Sequence, residues 1–307
     1  MDSLFNHQKP QLELDTQHMW LHGWESNPAN FSETLRLILL KLANNSADNY
    51  PVCDPSYDDF FNWTWTYKYD STISYRFISI HNVHFEELGS HFQWTTSMKP
   101  IDAKTKSLFV NKSKAAAIFL DKCHSTSKRE VLLDRLQKEL SKFNHSVDIY
   151  GDCGDKKCKR RTMNPCFWKL KRTYYFYLAF EDSLADDYIT DAVLIGCNNN
   201  AVPVVYGGAA YERFLPSGSY LNVHNNTPAQ LAYKMNEIIL NRELYHDFFR
   251  WKNHYIISKT PGLNGCDLCK LLNNPMHRLE KVSYVNFRKW WNPKYEQRCG
   301  LNNNIFL

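Results

Sequence analysis

Nothing in the 307 residues reads as a membrane span or a targeting segment. The longest apolar patch, Leu35 to Ala43, is interrupted by Arg36 and Lys41, and Met1 to Trp20 is polar and acidic; a span needs about 20 consecutive apolar residues. No internal repeat and no low-complexity segment is present. There is also no long basic stripe with interleaved aromatics, and the net charge is only +5. That balance suits a small anionic ligand and carries none of the marks of nucleic-acid binding.

What is present is an ordinary globular composition, 43% hydrophobic and 22% charged, long enough for two domains of about 150 residues each. Aromatics reach 15%, with 9 Trp and 18 Tyr, which serves large cores first and sugar or base stacking second. Nine cysteines and six Asn-x-Ser/Thr sequons, at Asn30, Asn44, Asn62, Asn111, Asn144 and Asn225, point to an oxidising lumen. The odd cysteine count leaves at least one thiol unpaired. Cys153-x4-Cys158 with Cys266-x2-Cys269 is also a candidate four-thiolate zinc set, although the first spacing is loose and a luminal setting favours disulfides.

Several elements are legible in order. His18 to Trp24 is an aromatic strand running into the polar turn Glu25-Ser26-Asn27-Pro28. Ser32 to Ala43 places Leu35, Ile38, Leu39 and Leu42 at the spacing of an amphipathic helix. Phe60 to Ser71 alternates and is rich in β formers. The basic stretch Lys104 to Lys114 marks a seam, after which Lys114 to Leu120 is a buried strand. Ser127 to Phe143 is a helix with Leu132, Leu136, Leu140 and Phe143 on one face and a capping box from Ser127 to Glu130. Val147 to Gly151 is the next strand and turn, followed by a basic loop carrying Lys156 to Arg161. Thr227-Pro228 caps a further helix, and Glu243 to Trp251 is a second helical piece.

The most informative stretch is Tyr174 to Tyr220. An apolar strand, Tyr174 to Phe180, ends at Glu181-Asp182-Ser183; a helical segment spans Tyr188 to Cys197; Val202 to Val205 is a second buried strand leading into Gly207-Gly208. This is a βαβ unit, and such units bind ligands beyond the carboxyl ends of their strands. Phe176-Tyr177-Leu178-Ala179-Phe180-Glu181-Asp182-Ser183, Asp187-Tyr188-Ile189-Thr190, and Pro203 to Gly208 with Tyr211 to Tyr220 resemble the donor-binding motif of the α-1,3-fucosyltransferases, glycosyltransferase family ten. The resemblance spans about Trp20 to Cys269. Phe61 to Asp70, Phe248 to Lys252 and Cys266-x2-Cys269 belong to it.

The resemblance implies an α/β fold of two Rossmann-like domains facing across a cleft, GT-B type: 1–113 on the acceptor side, 114–270 binding GDP-fucose, and 271–307 a basic tail. It implies inverting transfer of fucose from GDP-fucose to a GlcNAc residue of a glycan, with no metal cofactor required. Glu25 is then the general base, although composition alone makes it a solvated strand-end carboxylate. Arg129 contacts the donor diphosphate, and Tyr67, Lys68, Tyr177, Glu181, Asp182, Tyr188 and Asp191 make the remaining donor contacts. Family members are Golgi proteins with a membrane anchor; neither the anchor nor a stem is in this sequence, which reads as a fragment, an alternative start or a form that has lost it. Several positions depart from the family. Ala192 stands where the family has a lysine that pairs with the diphosphate, Asp191 where it has glutamate, Asp182 where it has asparagine, and Lys68 where it has arginine. Either a residue of the Lys156 to Arg161 cluster replaces the lost cation, or the chain is an inactive paralogue that binds glycan or protein.

Overall fold

A computed structural model describes residues 20–24, 37–42, 46–49, 51–89, 92–158, 163–260, 265–274, 283–292 and 294–299. Glu25 and the turn after it, and Lys159, Arg160 and Arg161, lie outside the described residues. The chain forms two compact units, residues 1–76 with 261–307, and residues 77–260.

In the first unit β1 (Trp20–Trp24) pairs antiparallel with β2 (Leu37–Leu42), which is parallel to β3 (Trp63–Thr66), itself parallel to β4 (Ile73–Ser74). The helix expected over Ser32 to Ala43 is therefore corrected: its described part is strand β2. The run Leu37–Leu42 is apolar at five of six positions. A strand with hydrogen-bonded neighbours on both edges takes such a run as readily as a helix does. The described part of the carboxyl-terminal basic stretch packs into this unit. Phe287 and Trp291 are fully buried, and Phe287 lies 4.7 Å from Phe61. Asn292 exchanges hydrogen bonds with the backbone of Val52, and Cys53 is bonded to Cys299.

The second unit is built on a five-stranded parallel sheet. In chain order its strands are β6 (Lys114–Phe119), β7 (Val147–Tyr150), β8 (Tyr174–Phe180), β9 (Val202–Tyr206) and β10 (Leu221–Asn222), arranged β10-β9-β8-β6-β7. The chain starts in the interior, steps to one edge and then builds out the other way, so the direction of growth reverses between β6 and β8. In an open parallel sheet that reversal leaves a crevice at the carboxyl ends of those two strands, where ligands bind.

Period-two alternation divides β8 between two faces. Phe176, Leu178 and Phe180 join Leu133, Leu136 and Leu140 of the helix Arg129–Ser141 and Leu231 and Met235 of the helix Pro228–Leu240 in one core. Tyr177 instead stacks near Phe119, which meets Phe167 of the helix Asn164–Thr173. The Asn164–Thr173 helix falls where only a basic loop was expected. The Thr227 cap is present as a full capping box with Gln230. A two-stranded antiparallel sheet of β5 (Ile78–Asn82) and β11 (Tyr255–Lys259) ties residues near 80 into this unit. The boundary consequently falls at 76 and 260, whereas the sequence reading put the seam at 104–114.

The zinc alternative is overturned by cysteine pairing. Cys153 is bonded to Cys123 and Cys158 to Cys166, so neither Cys153 nor Cys158 is open to a metal, and Cys197 is a buried free thiol. Among the described residues no group of three or more candidate ligands could hold a metal ion.

Candidate functional site

The crevice between β6 and β8 is walled by the two loops that leave those strands. The first loop, 120–128, is fixed at several points. Cys123 is bonded to Cys153 beyond β7, Thr126 Oγ1 donates to the Asp182 carbonyl at 2.7 Å, Ser127 Oγ donates to the Glu181 carbonyl at 2.7 Å, and the Tyr206 hydroxyl donates to the Ser127 carbonyl at 2.8 Å. The Ser127 hydroxyl is turned toward the Glu181 carbonyl and makes no cap bond to the helix. Lys128 enters it in the left-handed region, φ 58°, and Glu130 accepts from the Ser125 hydroxyl at 2.8 Å. The expected Ser127–Glu130 capping box is corrected accordingly: Ser125 takes both roles, accepting from the Arg129 N–H at 3.2 Å.

Arg129 begins the helix and turns its guanidinium back over the sheet end. Its Nη1 donates to the Phe180 carbonyl at 2.7 Å, while its Nε is buried with no acceptor. Buried donors are satisfied in more than nine cases of ten, and among the described residues no carboxylate pairs with Arg129. A part-buried guanidinium with an open donor, at the switch point of a parallel sheet, is built to receive an anion.

The second loop starts at Glu181, only 2% exposed. Its carboxylate accepts from the Thr190 N–H at 2.8 Å and from the Thr190 hydroxyl at 2.9 Å, which pins the far end of the loop to the end of β8. Burial pushes this carboxyl up to about 7 against the two hydrogen bonds that favour its charge. Glu181 therefore acts on the site by holding the loop. Tyr177, with its hydroxyl pushed up by burial, and Tyr188 are both buried; Tyr188 meets Phe77 edge-on.

The acidic departures each have a cation beside them. Asp182 lies 3.6 Å from Lys122, and Asp191, at the N-cap of the helix Ala192–Asn198, is 2.9 Å from Lys259 of β11. Lys259 is thus the cation held next to Ala192. The described members of the basic cluster are engaged elsewhere: Lys156 pairs with Asp148 and Asp155, and Lys157 donates to the carbonyls of Gly151 and Gly154. Sequence reading missed Lys122 and Lys259; neither sits in a motif, and Lys259 reaches Asp191 across 68 positions.

Among the expected site residues, the structure gathers Arg129, Tyr177, Glu181, Asp182, Tyr188 and Asp191 in the second unit. Tyr67 and Lys68 belong to the first. There the Tyr67 hydroxyl accepts from the Ala47 N–H at 2.9 Å, and the Lys68 ammonium, 7% exposed, lies 5.4 Å from the Trp290 ring centre.

This geometry agrees with what the chain is similar to. The alpha-(1,3)-fucosyltransferase C of Drosophila melanogaster is 34% identical over 81% of this chain and 57% of its own length, and the glycoprotein 3-alpha-L-fucosyltransferase A of the same organism 32% over 76% and 43%. The chain spans about half the length of the curated relatives it matches. A crystal structure of an alpha1,3-fucosyltransferase with GDP-fucose is similar over 81% of this chain and 80% of that one, with a TM-score of 0.47 and 14% identity. The family model for glycosyltransferase family 10 (fucosyltransferase), C-terminal part, matches residues 109–290. Those residues hold the whole parallel sheet and both loops of the crevice, and with that match the chain belongs to glycosyltransferase family 10, the fucosyltransferases.

Proposed function

We propose that the chain moves fucose from GDP-fucose to a GlcNAc residue of a glycoprotein or glycolipid glycan in α-1,3 linkage, with inversion. The observation that carries this reading is the open, buried Nε of Arg129 at the β6–β8 crevice. A donor diphosphate completes its hydrogen-bond set and neutralises its charge. As the acceptor hydroxyl attacks the anomeric carbon, its proton passes to Glu25 acting as general base. The bond from that carbon to the diphosphate oxygen breaks, and GDP leaves with the charge that Arg129 and Lys259 stabilise. No divalent metal takes part in this scheme, so activity is expected to survive EDTA. Three disulfides favour an oxidising compartment, and we place the protein in the Golgi lumen.

A second reading, a glycan- or protein-binding paralogue without turnover, is favoured by Ala192 and Asp182. Calorimetric titration with GDP and GDP-fucose, followed by transfer to an N-glycan acceptor, separates the two. Binding with transfer establishes the enzyme, and binding without transfer the paralogue. No heat with GDP at millimolar concentration ends the enzyme reading. In the double variant Ala192→Lys with Asp182→Asn, donor affinity is expected to rise about tenfold, since one phosphate cation is added and one carboxylate removed.

A further inference from the structure

The second unit holds a cavity of about 630 Å³ that shares no residue with the β6–β8 crevice. It lies where residues 94–98 pass over the loop that follows β9 and over the turn after the helix Arg242–Asp247. That passing segment is held by three contacts. The Trp94 indole N–H donates to the Glu212 carbonyl at 2.7 Å, the Thr95 N–H to the Tyr255 hydroxyl at 2.8 Å, and Arg250 Nη1 to the Met98 carbonyl at 3.3 Å. Phe92 and Tyr255 meet the Trp94 ring edge-on at 4.6 and 4.9 Å. The indole is therefore set in place before any ligand arrives, which lowers the ordering entropy that binding costs.

The lining combines two chemistries. Trp94, Phe248 and Trp251 supply aromatic surface, and the exposed residues Thr95, Thr96, Ser97, Ser217 and Glu212 add polar side chains to the same lining. Among the described residues these five polar side chains have no hydrogen-bond partner. Cations are not available there. Arg250 is committed to Asp247 through Nε at 2.8 Å and Nη2 at 2.7 Å. A phosphate or sulfate entering the cavity would meet the Glu212 carboxylate and only an arginine already paired with Asp247, so anionic ligands are disfavoured on charge. A ring with an apolar face and several hydroxyls on its edge meets both halves of the lining: the face stacks on indole, and the hydroxyls bond to Ser, Thr and Glu oxygens. The volume lies within the usual range for small-ligand sites.

We infer that this cavity is a saccharide site taking one or two neutral sugar residues. It would give the protein a hold on a glycan separate from the reacting sugar. The inference does not rest on the donor reading, because the two loops that wall the crevice contribute none of the lining and Trp94 to Met98 lie outside the donor-binding motif.

The test titrates the full chain with chitobiose, lactose and maltotriose, following tryptophan fluorescence and saturation-transfer NMR, with and without saturating GDP. At least one sugar is expected to bind saturably at millimolar concentration, unchanged by GDP. Thr96→Trp, which fills the cavity from its exposed rim, should weaken that binding about tenfold or more while leaving the GDP affinity of the chain as it was. Ser97→Trp serves as a second filling variant, and Trp94→Ala removes the stacking face. Absence of binding by all three sugars overturns the proposal. So does binding that GDP displaces, or binding that both filling variants leave intact. Loss of GDP binding in the unaltered chain counts against the donor reading alone.

Discussion

An arginine that shelters one N–H from water without an acceptor holds an interaction in reserve, and a charged acceptor supplied by a ligand is worth about 1.5–3 kcal/mol. Arg129→Ala is therefore expected to weaken GDP binding about 10- to 100-fold in calorimetric titration. Arg129→Lys should recover only part of this, since an ammonium cannot serve the Phe180 carbonyl and a phosphate in the same planar geometry. Glu181 gives a prediction of opposite kind. Its folded value, about 7, lies above the ordinary 4.5, so the native state holds this proton more tightly than the unfolded chain does. Its stabilising contribution is then complete below about pH 4.5 and is lost as pH rises through 7. Glu181→Gln keeps the Thr190 bonds without the buried charge. The variant should match the wild type in denaturant unfolding at pH 4 and exceed it by about 3 kcal/mol at pH 8. Taking the difference between the two proteins also removes the opposing contribution of buried Lys112, which burial pushes down to about 7. Both site residues were legible in the sequence because local motifs carry them. The long-range contacts of the site were not: Arg129 meets the Phe180 carbonyl across 51 positions, and Lys259 meets Asp191 across 68.

At the scale of elements, what could be read was whatever local pattern alone determines. The strand Tyr174–Phe180 has the bounds that its aromatic run implies, and the Thr227-Pro228 start survives because cap and first-turn proline are local chemistry. Leu37–Leu42 was misread because a six-residue apolar run fits both periods, and only its neighbours β1 and β3 decide. Ser127 was misread because its hydroxyl is taken by a carbonyl 54 positions away. The Gly207-Gly208 pair was legible as what the strand Val202 to Val205 leads into, but its purpose is steric: a Cβ on Gly208 would press on the carbonyl oxygens of Leu184 and Ala185. Those are backbone atoms of the loop that Glu181 pins, and they cannot swing aside as a side chain would. Gly208→Ala is expected to cost about 1–3 kcal/mol of stability, the usual range for overpacking, and to lower GDP affinity by displacing loop 183–190. Gly89→Ala, where a Cβ meets nothing within 4 Å, should change neither. Equal effects in the two variants, read by thermal unfolding and GDP titration, would show that the loop's close approach to β9 is immaterial.

At the scale of the whole molecule, the two units differ in how their chain is closed. Residues 77–260 form one continuous segment with most of its long-range contact inside a single sheet and its helices. The other unit must bring residues before 76 together with residues after 261. No sequence period announces such a closure, and for that reason the carboxyl-terminal stretch looked like a tail. Its hold is visible in three kinds of bond: Arg288 grips Asp58 through Nε at 2.8 Å and Nη2 at 2.7 Å, Asn292 bonds to Val52, and Cys53–Cys299 spans 246 positions. In the chain-entropy picture a cross-link over so long a loop is worth about 5–6 kcal/mol. Removing it should loosen this unit selectively. In the Cys53→Ser, Cys299→Ser double variant, limited proteolysis is expected to cut first within 1–76 and 261–307 and to leave a resistant core close to residues 77–260. GDP should still bind that core, because Arg129 and both loops of the crevice lie within it. If instead the whole chain is degraded at one rate and GDP binding disappears with it, residues 77–260 depend on the closed unit for their stability, and the donor half of the protein is not self-sufficient.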